Sequence, residues 1–136
     1  MAAIVDLHVL LSEMRPALRE ADYVYCCVSP EDIAKHLSST LCIFREEQGV
    51  TLIVERSYAQ KEALAFGPVM RCITLSVHSA LEAVGLTAAV SAALTRHGIS
   101  ANVVAAYHHD HIFVPAGDAE RALLALKEAA PVSSST

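Results

Sequence analysis

The feature that most constrains the fold is an order of predicted elements that occurs twice along the chain. The order is strand, helix, strand, hairpin, strand and helix, and the two copies begin at Tyr23 and Cys72. Each copy contains most of a split β-α-β motif, the ferredoxin-like arrangement. The predicted helices stand between strands where a right-handed crossover requires them. We therefore expect an α+β fold of two βαββαβ units, with antiparallel sheets and helices on one face.

Neither copy has an obvious fourth strand of its own. The strand predicted at 72–77 is placed both to complete the first sheet and to begin the second. The N-terminal segment is placed to complete the second sheet, although residues 5–14 fit a helix as well as a strand. We therefore expect units that share strands, at 1–68 and 69–130, followed by a disordered tail at 131–136.

Local signals place the elements of the first copy. "READ" predicts a turn at 19–22 before a strand at 23–28, and Ser29 with Pro30 is typical of a helix start. Two strands are predicted next, at 40–44 and 50–55, and a charged hairpin joins them. A helix predicted at 57–66 follows and ends at Gly67.

The second copy has equally clear signals. A strand is predicted at 71–79 and a helix at 82–98, which Gly98 closes in the left-handed conformation. Two further strands should be joined by a chain reversal at His109-Asp110, because aspartate tolerates tight turns. The last predicted helix occupies 117–130.

Composition excludes several classes of partner. Hydrophobic residues make up 54% of the chain and charged residues 18%, which leaves apolar surface for burial between subunits. The net charge is −5 and no basic run occurs, so neither nucleic acid nor an anionic membrane is an expected partner. Residues 1–14 lack a basic signal-peptide region, and no apolar stretch is long enough to span a bilayer. We expect a cytoplasmic protein, with a homodimer as the simplest closed assembly.

The four cysteines stand in apolar stretches that are predicted as strands, and they are Cys26, Cys27, Cys42 and Cys72. None form a C-x-x-C pair. On a strand the adjacent Cys26 and Cys27 point to opposite faces. This pattern favours buried free thiols over a disulfide or a zinc site.

The second half of the chain resembles an ACT domain, of the kind found in tandem at the regulatory end of aspartate kinases. The resemblance rests on Gly85-Leu86 opening an alanine-rich helix, on Gly98-Ile99 entering a strand, and on "DAERALLAL" as the last helix. In the first half, "YVYCCV" and "FREEQGVTLIVE" are similar to small tandem ACT proteins without an attached enzyme. The resemblance implies a regulatory fold that binds small molecules, most often amino acids.

The strand-to-helix segment before Thr87 is the favoured ligand site, and the resemblance points to the same segment and to the start of the next strand. A helix start presents backbone N–H groups and a partial positive charge, which suit the carboxylate of an amino acid. Ser79 and Glu82 are candidate partners for the ammonium group, and Asn102 suits both groups. Alternatively, Gly85 only serves the turn and Ser79 or Glu82 caps the helix. The predicted ligand-binding residues are His78, Ser79, Glu82, Val84, Gly85, Leu86, Thr87, Ile99 and Asn102.

A second candidate is "YHHDHIFVP", with His108, His109 and His111 around Asp110. The favoured interpretation is a polar hairpin tip in solvent. A dimer contact, a ligand pocket or a metal site that takes a third ligand from elsewhere remain alternatives. With no nucleophile motif or phosphate-binding loop, we expect a non-catalytic regulatory protein without cofactor or metal. The alternatives are a small metal-dependent enzyme that uses the His108–His111 cluster and a purely structural interaction module.

Overall fold

The computed structural model describes residues 14–76 and 85–129, and these form a mixed α+β fold, as predicted. They divide into two compact units. The continuous unit is Glu20–Arg71, and the split unit takes the described residues up to Arg19 and from Cys72 onward. The division falls inside two strands, Pro16–Val28 and Met70–Leu75, so both strands contribute to both units.

The continuous unit consists of antiparallel strands in the order β2-β3-β1, with two short helices. The strands are β1 Pro16–Val28, β2 Thr40–Glu46 and β3 Gly49–Glu55, and the helices are α1 Ile33–His36, flanked by 3₁₀ turns Pro30–Asp32 and Leu37–Ser39, and α2 Arg56–Lys61. The predicted charged hairpin is confirmed, since Glu46 pairs with Gly49. Ser29 precedes the first helical turn as predicted, but its backbone carbonyl, not its side chain, accepts the Asp32 N–H at 2.9 Å.

The core of the continuous unit follows the alternation of β1 and β3. Val24 and Cys26 are paired with Val54 and Leu52, and all four side chains are at most 4% exposed. Ala59 of α2 completes this cluster. Because side chains alternate across a strand, the intervening residues of β1 face the other side of the sheet.

A polar residue is buried between the two helices of this unit. His36 is only 2% exposed, and its Nδ1 lies 2.6 Å from the Tyr58 hydroxyl. The two rings also meet edge to face. This contact gives the imidazole a hydrogen-bond partner and so offsets the cost of burying it.

The turn predicted at 19–22 is wrong, because these residues lie inside β1. The polar side chain of Asp22 has partners far along the chain. Its carboxylate lies 3.2 Å from Arg56 Nη2 and 3.9 Å from Arg71 Nε. A strand can therefore continue through a stretch that local composition assigns to a turn.

Helix α2 ends earlier than the Gly67 that was predicted to stop it. Ala63 adopts a left-handed φ of 56°. The Leu64 N–H then donates to the Ala59 carbonyl at 2.9 Å, and the Ala63 N–H to that of Gln60 at 3.2 Å. These two bonds form a Schellman motif, which satisfies the last carbonyls of the helix.

The split unit contains strands in the order β4-β6-β5 and two longer helices. The strands are β4 Met70–Leu75, β5 Asn102–Ala105 and β6 Asp110–Pro115, and the helices are α3 Leu86–Thr95 and α4 Ala119–Ala129. Some predictions fall outside the described residues. These are the end of the strand predicted at 71–79, the start of the helix predicted at 82–98, the tail at 131–136, and the structure of residues 1–13. Within the described ranges, no helix combines the length and apolar character that crossing a bilayer requires.

The core of the split unit follows the same logic. Ile73 and Leu75 of β4 alternate toward it, as do Ile112 and Val114 of β6. The helices cover this face with residues at helical spacing, which are Leu86, Val90 and Leu94 of α3 and Ala119, Ala122 and Leu126 of α4. Fully burying a side chain of leucine size contributes about 1.5–3 kcal/mol.

Gly98 ends α3 as predicted. Its φ is 69°, its N–H donates to the Thr95 carbonyl at 2.9 Å, and the Ile99 N–H donates to the Leu94 carbonyl at 3.0 Å. This is a second Schellman motif, with the contact between Ile99 and Leu94 buried in the core.

Gly98→Ala should lower the free energy of unfolding by about 1 kcal/mol, because a Cβ at this left-handed φ is strained. The added atom meets nothing within 4 Å, so the loss reports backbone strain alone. Urea unfolding followed by circular dichroism measures it.

Gly117→Ala is the matched control, because it also adds a Cβ in open space but without a positive φ. It should leave stability unchanged or raise it by about 0.4–1 kcal/mol. Equal losses for both variants would contradict the left-handed end of α3.

Candidate functional site

The structure describes part of the predicted ligand site. Four of the predicted residues lie outside the described ranges, and they are His78, Ser79, Glu82 and Val84. The others lie at the start of α3, at its end and on β5, all in the split unit.

Gly85 begins α3 in a conformation that few other residues adopt. It occupies the N-cap position with a φ of 98° and a ψ of −21°, and its carbonyl accepts the Ala89 N–H at 2.9 Å. The N–H groups of the first turn beyond it have no carbonyl partner within the helix. Thr87 is exposed in this turn, whereas the Leu86 side chain is 2% exposed and packs in the core. Leu86 can therefore meet a ligand only through its backbone N–H.

The far end of α3 contributes less to such a site. The Ile99 side chain is 4% exposed in the core, and its N–H is already bonded to Leu94. Asn102 differs because its side chain is exposed on β5. Its Nδ2 donates to the Phe113 carbonyl at 3.4 Å. A hydrogen bond of this length is weak, so little free energy is lost when Nδ2 donates to a ligand instead. Gly85, Thr87 and Asn102 are thus the described residues that suit a polar ligand.

The histidine segment forms the turn between β5 and β6, but the predicted reversal at His109-Asp110 is wrong by two residues. The Ala106 N–H donates to the His109 carbonyl at 3.0 Å, and Asp110 is already paired with Ala105. Tyr107, which is 81% exposed, and His108 occupy the tip. The remaining three residues, His109, Asp110 and His111, are half-buried. Within 14–76 and 85–129, no three His, Cys, Asp or Glu residues are arranged to hold a metal ion.

Comparison with known protein families shows which family the chain belongs to. Family models of the ACT domain match residues 2–71 and 69–128. The chain belongs to the ACT-domain family. The resemblance and the fold of two ferredoxin-like ACT domains in tandem, inferred from the sequence, are thereby confirmed. This membership supports a regulatory ligand-binding role.

Solved structures resemble the tandem ACT chain over most of its length. A Vibrio cholerae protein of unknown function, described as a possible transport protein, is 48% identical with a TM-score of 0.82, and the match covers 91% of this chain and 95% of that one. The ligand-free regulatory subunit of Thermus thermophilus aspartate kinase has a TM-score of 0.67 at 17% identity, with coverage of 84% and 95%. An Agrobacterium tumefaciens protein has the same score and identity, with coverage of 87% and 90%. The last two show the fold alone. No curated protein sequence matches.

Three residues that lie far apart in the sequence are linked by hydrogen bonds near the histidine segment. They are Arg19, Thr74 and His111, and no motif in the sequence indicates this hydrogen-bond chain. Arg19 Nε donates to Thr74 Oγ1 at 3.3 Å, and Thr74 Oγ1 lies 3.0 Å from His111 Nδ1. Because the arginine only donates, the threonine hydroxyl accepts its bond and can give its own proton to Nδ1 of a neutral imidazole.

The charges and burial around this hydrogen-bond chain favour a neutral imidazole at His111. Burial, the Arg19 charge and His109 lower the pKa of His111, and Asp110 opposes them. Burial raises the pKa of the Asp110 carboxyl against the opposing effect of the two histidines. The half-buried carboxylate is thus too weak a counter-charge to hold His111 protonated.

The cysteines are free thiols, as predicted, but they are not all buried. Cys26 and Cys72 are buried, Cys42 is half-buried and Cys27 is exposed. Cys27 is exposed because it points to the opposite face of β1 from Cys26. Burial raises the pKa of Cys72 despite the Arg19 charge and a hydrogen bond with Thr74. This thiol therefore stays protonated at neutral pH and is a poor nucleophile.

The neutral state of His111 predicts a pH dependence of stability. Above its ordinary pKa of 6.5, neither the folded nor the unfolded state binds the proton. Below that value the unfolded state binds it first, so the free energy of unfolding should fall as the pH drops from about 7.5 to about 5.5. Urea unfolding at a series of pH values measures this.

His111→Gln should reduce the slope, whereas His108→Gln, at the exposed hairpin tip, should leave it unchanged. Asp110 acts in the opposite sense at lower pH, just above its ordinary value of 3.8, because its folded-state pKa is raised. An unchanged slope in His111→Gln would contradict the lowered pKa of His111.

Proposed function

We propose that this tandem ACT chain is a non-catalytic regulatory protein that binds an amino acid or a similar small molecule at the start of α3. The observation that supports this most directly is the backbone conformation of Gly85. This residue adopts a left-handed φ at the N-cap position of a ten-residue α-helix. Without a Cβ, this residue lets a ligand approach the backbone closely. The family membership supports the same role.

The ligand carboxylate belongs at the first turn of α3. The N–H groups there are donors without a helical partner, and the helix dipole places a partial positive charge at this end. The exposed Thr87 hydroxyl is a further donor in the same turn. The carboxylate can accept two or three such hydrogen bonds. Each is charge-assisted and therefore stronger than a hydrogen bond between neutral groups.

The ligand ammonium group needs acceptors. Asn102 offers an amide oxygen on an exposed side chain, and its Nδ2 can leave the long bond to Phe113 to meet the carboxylate. Ser79 and Glu82 remain predicted ammonium partners from the sequence. His78, Val84 and the Ile99 backbone complete the predicted surroundings of the ligand.

Regulation follows if the ligand binds one arrangement of the protein better than another. The equilibrium shifts by the difference between the two affinities, and a partner protein can recognise the favoured arrangement. We propose a homodimer in the cytoplasm as the acting species, with ACT domains bounded near 1–68 and 69–130. The family matches to residues 2–71 and 69–128 support these bounds.

A metal-dependent enzyme is the weaker proposal. His111 Nδ1 is engaged by Thr74, and His108 lies at the tip of the hairpin. A metal centre would need at least three converging protein ligands, and it would compete with the Thr74 bond for the same nitrogen. A purely structural interaction module differs from our proposal only in lacking a ligand.

A thermal-shift screen of the twenty amino acids tests the proposal. A true ligand at 100 times its dissociation constant should stabilise the protein by about 2.7 kcal/mol. Asn102→Ala should weaken that stabilisation because the substitution removes the amide at the site.

Ser100→Ala is the matched control, since Ser100 is also exposed and stands just before the same strand. It should respond to the ligand as the parent protein does. If a well-folded sample responds to none of the amino acids, the structural-module hypothesis replaces the proposal.

A further inference from the structure

One polar contact joins three neighbouring strands of the split unit. Arg19 lies on β1, Thr74 on β4 and His111 on β6, and these strands are adjacent in the sheet. Arg19 Nε and His111 Nδ1 both approach the same atom, Thr74 Oγ1, at 3.3 Å and 3.0 Å. All three residues are half-buried. A guanidinium and an imidazole are therefore separated by a single hydroxyl group, where water screens their charges less than at the open surface.

This contact suits a neutral imidazole better than a protonated one. Beside a neutral ring, the Thr74 hydroxyl can accept a hydrogen bond from Arg19 and donate its own proton to Nδ1. A protonated ring carries hydrogen on both nitrogens, so Nδ1 can no longer accept. The hydroxyl then has to accept from two cations and turn its proton toward Cys72, a further hydrogen-bond partner. Because sulfur is a weak acceptor, protonation weakens the bond that the hydroxyl donates, and it adds repulsion between the ring and Arg19.

The groups around His111 differ in their effect on its proton. Burial lowers the pKa of His111 most, and the charges of Arg19 on β1 and of His109 just before β6 lower it further. The Asp110 carboxylate raises this pKa but is outweighed. On β5, Val104 stands opposite His111, and none of the four residues of that strand is titratable. These surroundings favour a neutral ring as long as the contact is closed.

One end of the β5–β6 hairpin is free to respond to a change at His111. β5 stands last in the described sheet and pairs with β6, so the hairpin meets the other strands through β6. Ile112 and Val114 of β6 are fully buried in the core and hold the middle of that strand in place. His111 precedes them as the second residue of β6. Loss of its contact therefore frees residues 105–111, the hairpin end, and leaves the core intact.

We propose that the contact of Arg19, Thr74 and His111 is a pH-sensitive switch, which holds the hairpin end against β4 when His111 is neutral and releases it when His111 gains a proton. In the released form the imidazole reaches solvent and regains its ordinary pKa of 6.5. The open form therefore binds the proton more readily than the closed form. Each pH unit below that value favours the open form by up to about tenfold, until the closed form is protonated as well.

The switch changes what the surface of the split unit presents. The hairpin end carries Tyr107, which is 81% exposed, so its release in mild acid alters how this aromatic side chain is displayed. The inference does not depend on ligand binding at the start of α3.

Amide hydrogen exchange followed by NMR tests the switch in the full chain. The reporter is the Ala106 amide, which donates to the His109 carbonyl inside the hairpin end. Its protection factor, which corrects for the intrinsic effect of pH on exchange, should fall about two- to fivefold between about pH 6.5 and about pH 5.5. Low concentrations of urea should leave its exchange unchanged, because a local opening exposes little surface. The imidazole nitrogen signals of His111 in the same sample should titrate with a midpoint below 6.5.

Two pairs of variants complete the test. His111→Gln should abolish the pH dependence of Ala106 protection, whereas His108→Gln, at the exposed tip, should retain it. Arg19→Gln should raise the midpoint of the His111 titration, because it removes a repelling charge. Arg96→Gln is its matched control, since Arg96 is exposed in the same unit, and it should leave that midpoint unchanged.

The proposal would be overturned by an Ala106 protection factor that does not change with pH. Exchange at Ala106 that rises with urea as steeply as exchange at Ile99, in the core, would also overturn it, because the opening would then be global. If Arg19→Gln does not fold, as judged by circular dichroism, Thr74→Val serves as the variant. It keeps the shape of the side chain but removes the hydroxyl, so Ala106 should already exchange faster at neutral pH. Unchanged exchange in that variant would likewise refute the switch.

Discussion

The antiparallel register between β1 and β3 determines what the continuous unit buries and what it presents. With Cys26 opposite Leu52 and Val24 opposite Val54, one face of the pair is wholly apolar. A slip of one residue would turn every one of these side chains to the other face, so burial itself fixes the register. The same register brings the start of α2 alongside Asp22, where Arg56 Nη2 lies 3.2 Å from the Asp22 carboxylate. Hydrophobic pairing in the middle of the ladder thus positions polar chemistry at its end.

The split unit follows the same two-residue period with a different outcome. In β4, Ile73 and Leu75 enter the core, which leaves Cys72 and Thr74 on the opposite side. There Thr74 meets Arg19 and His111, and a hydrogen-bond chain links three strands. The start of α3 is a separate feature, which depends on the backbone of Gly85 and not on strand alternation. One unit therefore offers two polar regions of different origin.

Several signals contained in a few neighbouring residues predict the structure correctly, whereas features set by distant contacts cannot be predicted in this way. The charged hairpin and the Gly98 helix end are local, and both were predicted. The strand through 19–22 contains Asp22, whose partners Arg56 and Arg71 lie far along the chain, and local composition does not reveal them. Ala63 ends α2 through hydrogen bonds, with no glycine to signal it. Arg19 and Thr74 are 55 positions apart, and Thr74 and His111 are 37 apart, so no motif marks their chain. In the candidate ligand site, Gly85 was recognisable, but the burial of the Leu86 and Ile99 side chains became visible only in three dimensions.

The discontinuity of the split unit has a consequence for biosynthesis. Its strand residues up to Arg19 leave the ribosome early, but their partners from Cys72 onward follow only after the whole of Glu20–Arg71. The intervening segment carries its own apolar cluster, so a nascent chain can collapse there first. That collapse shortens the effective loop between the two parts of the split unit and lowers the entropy lost on joining them. Translation order and topology thus favour the same sequence of folding events.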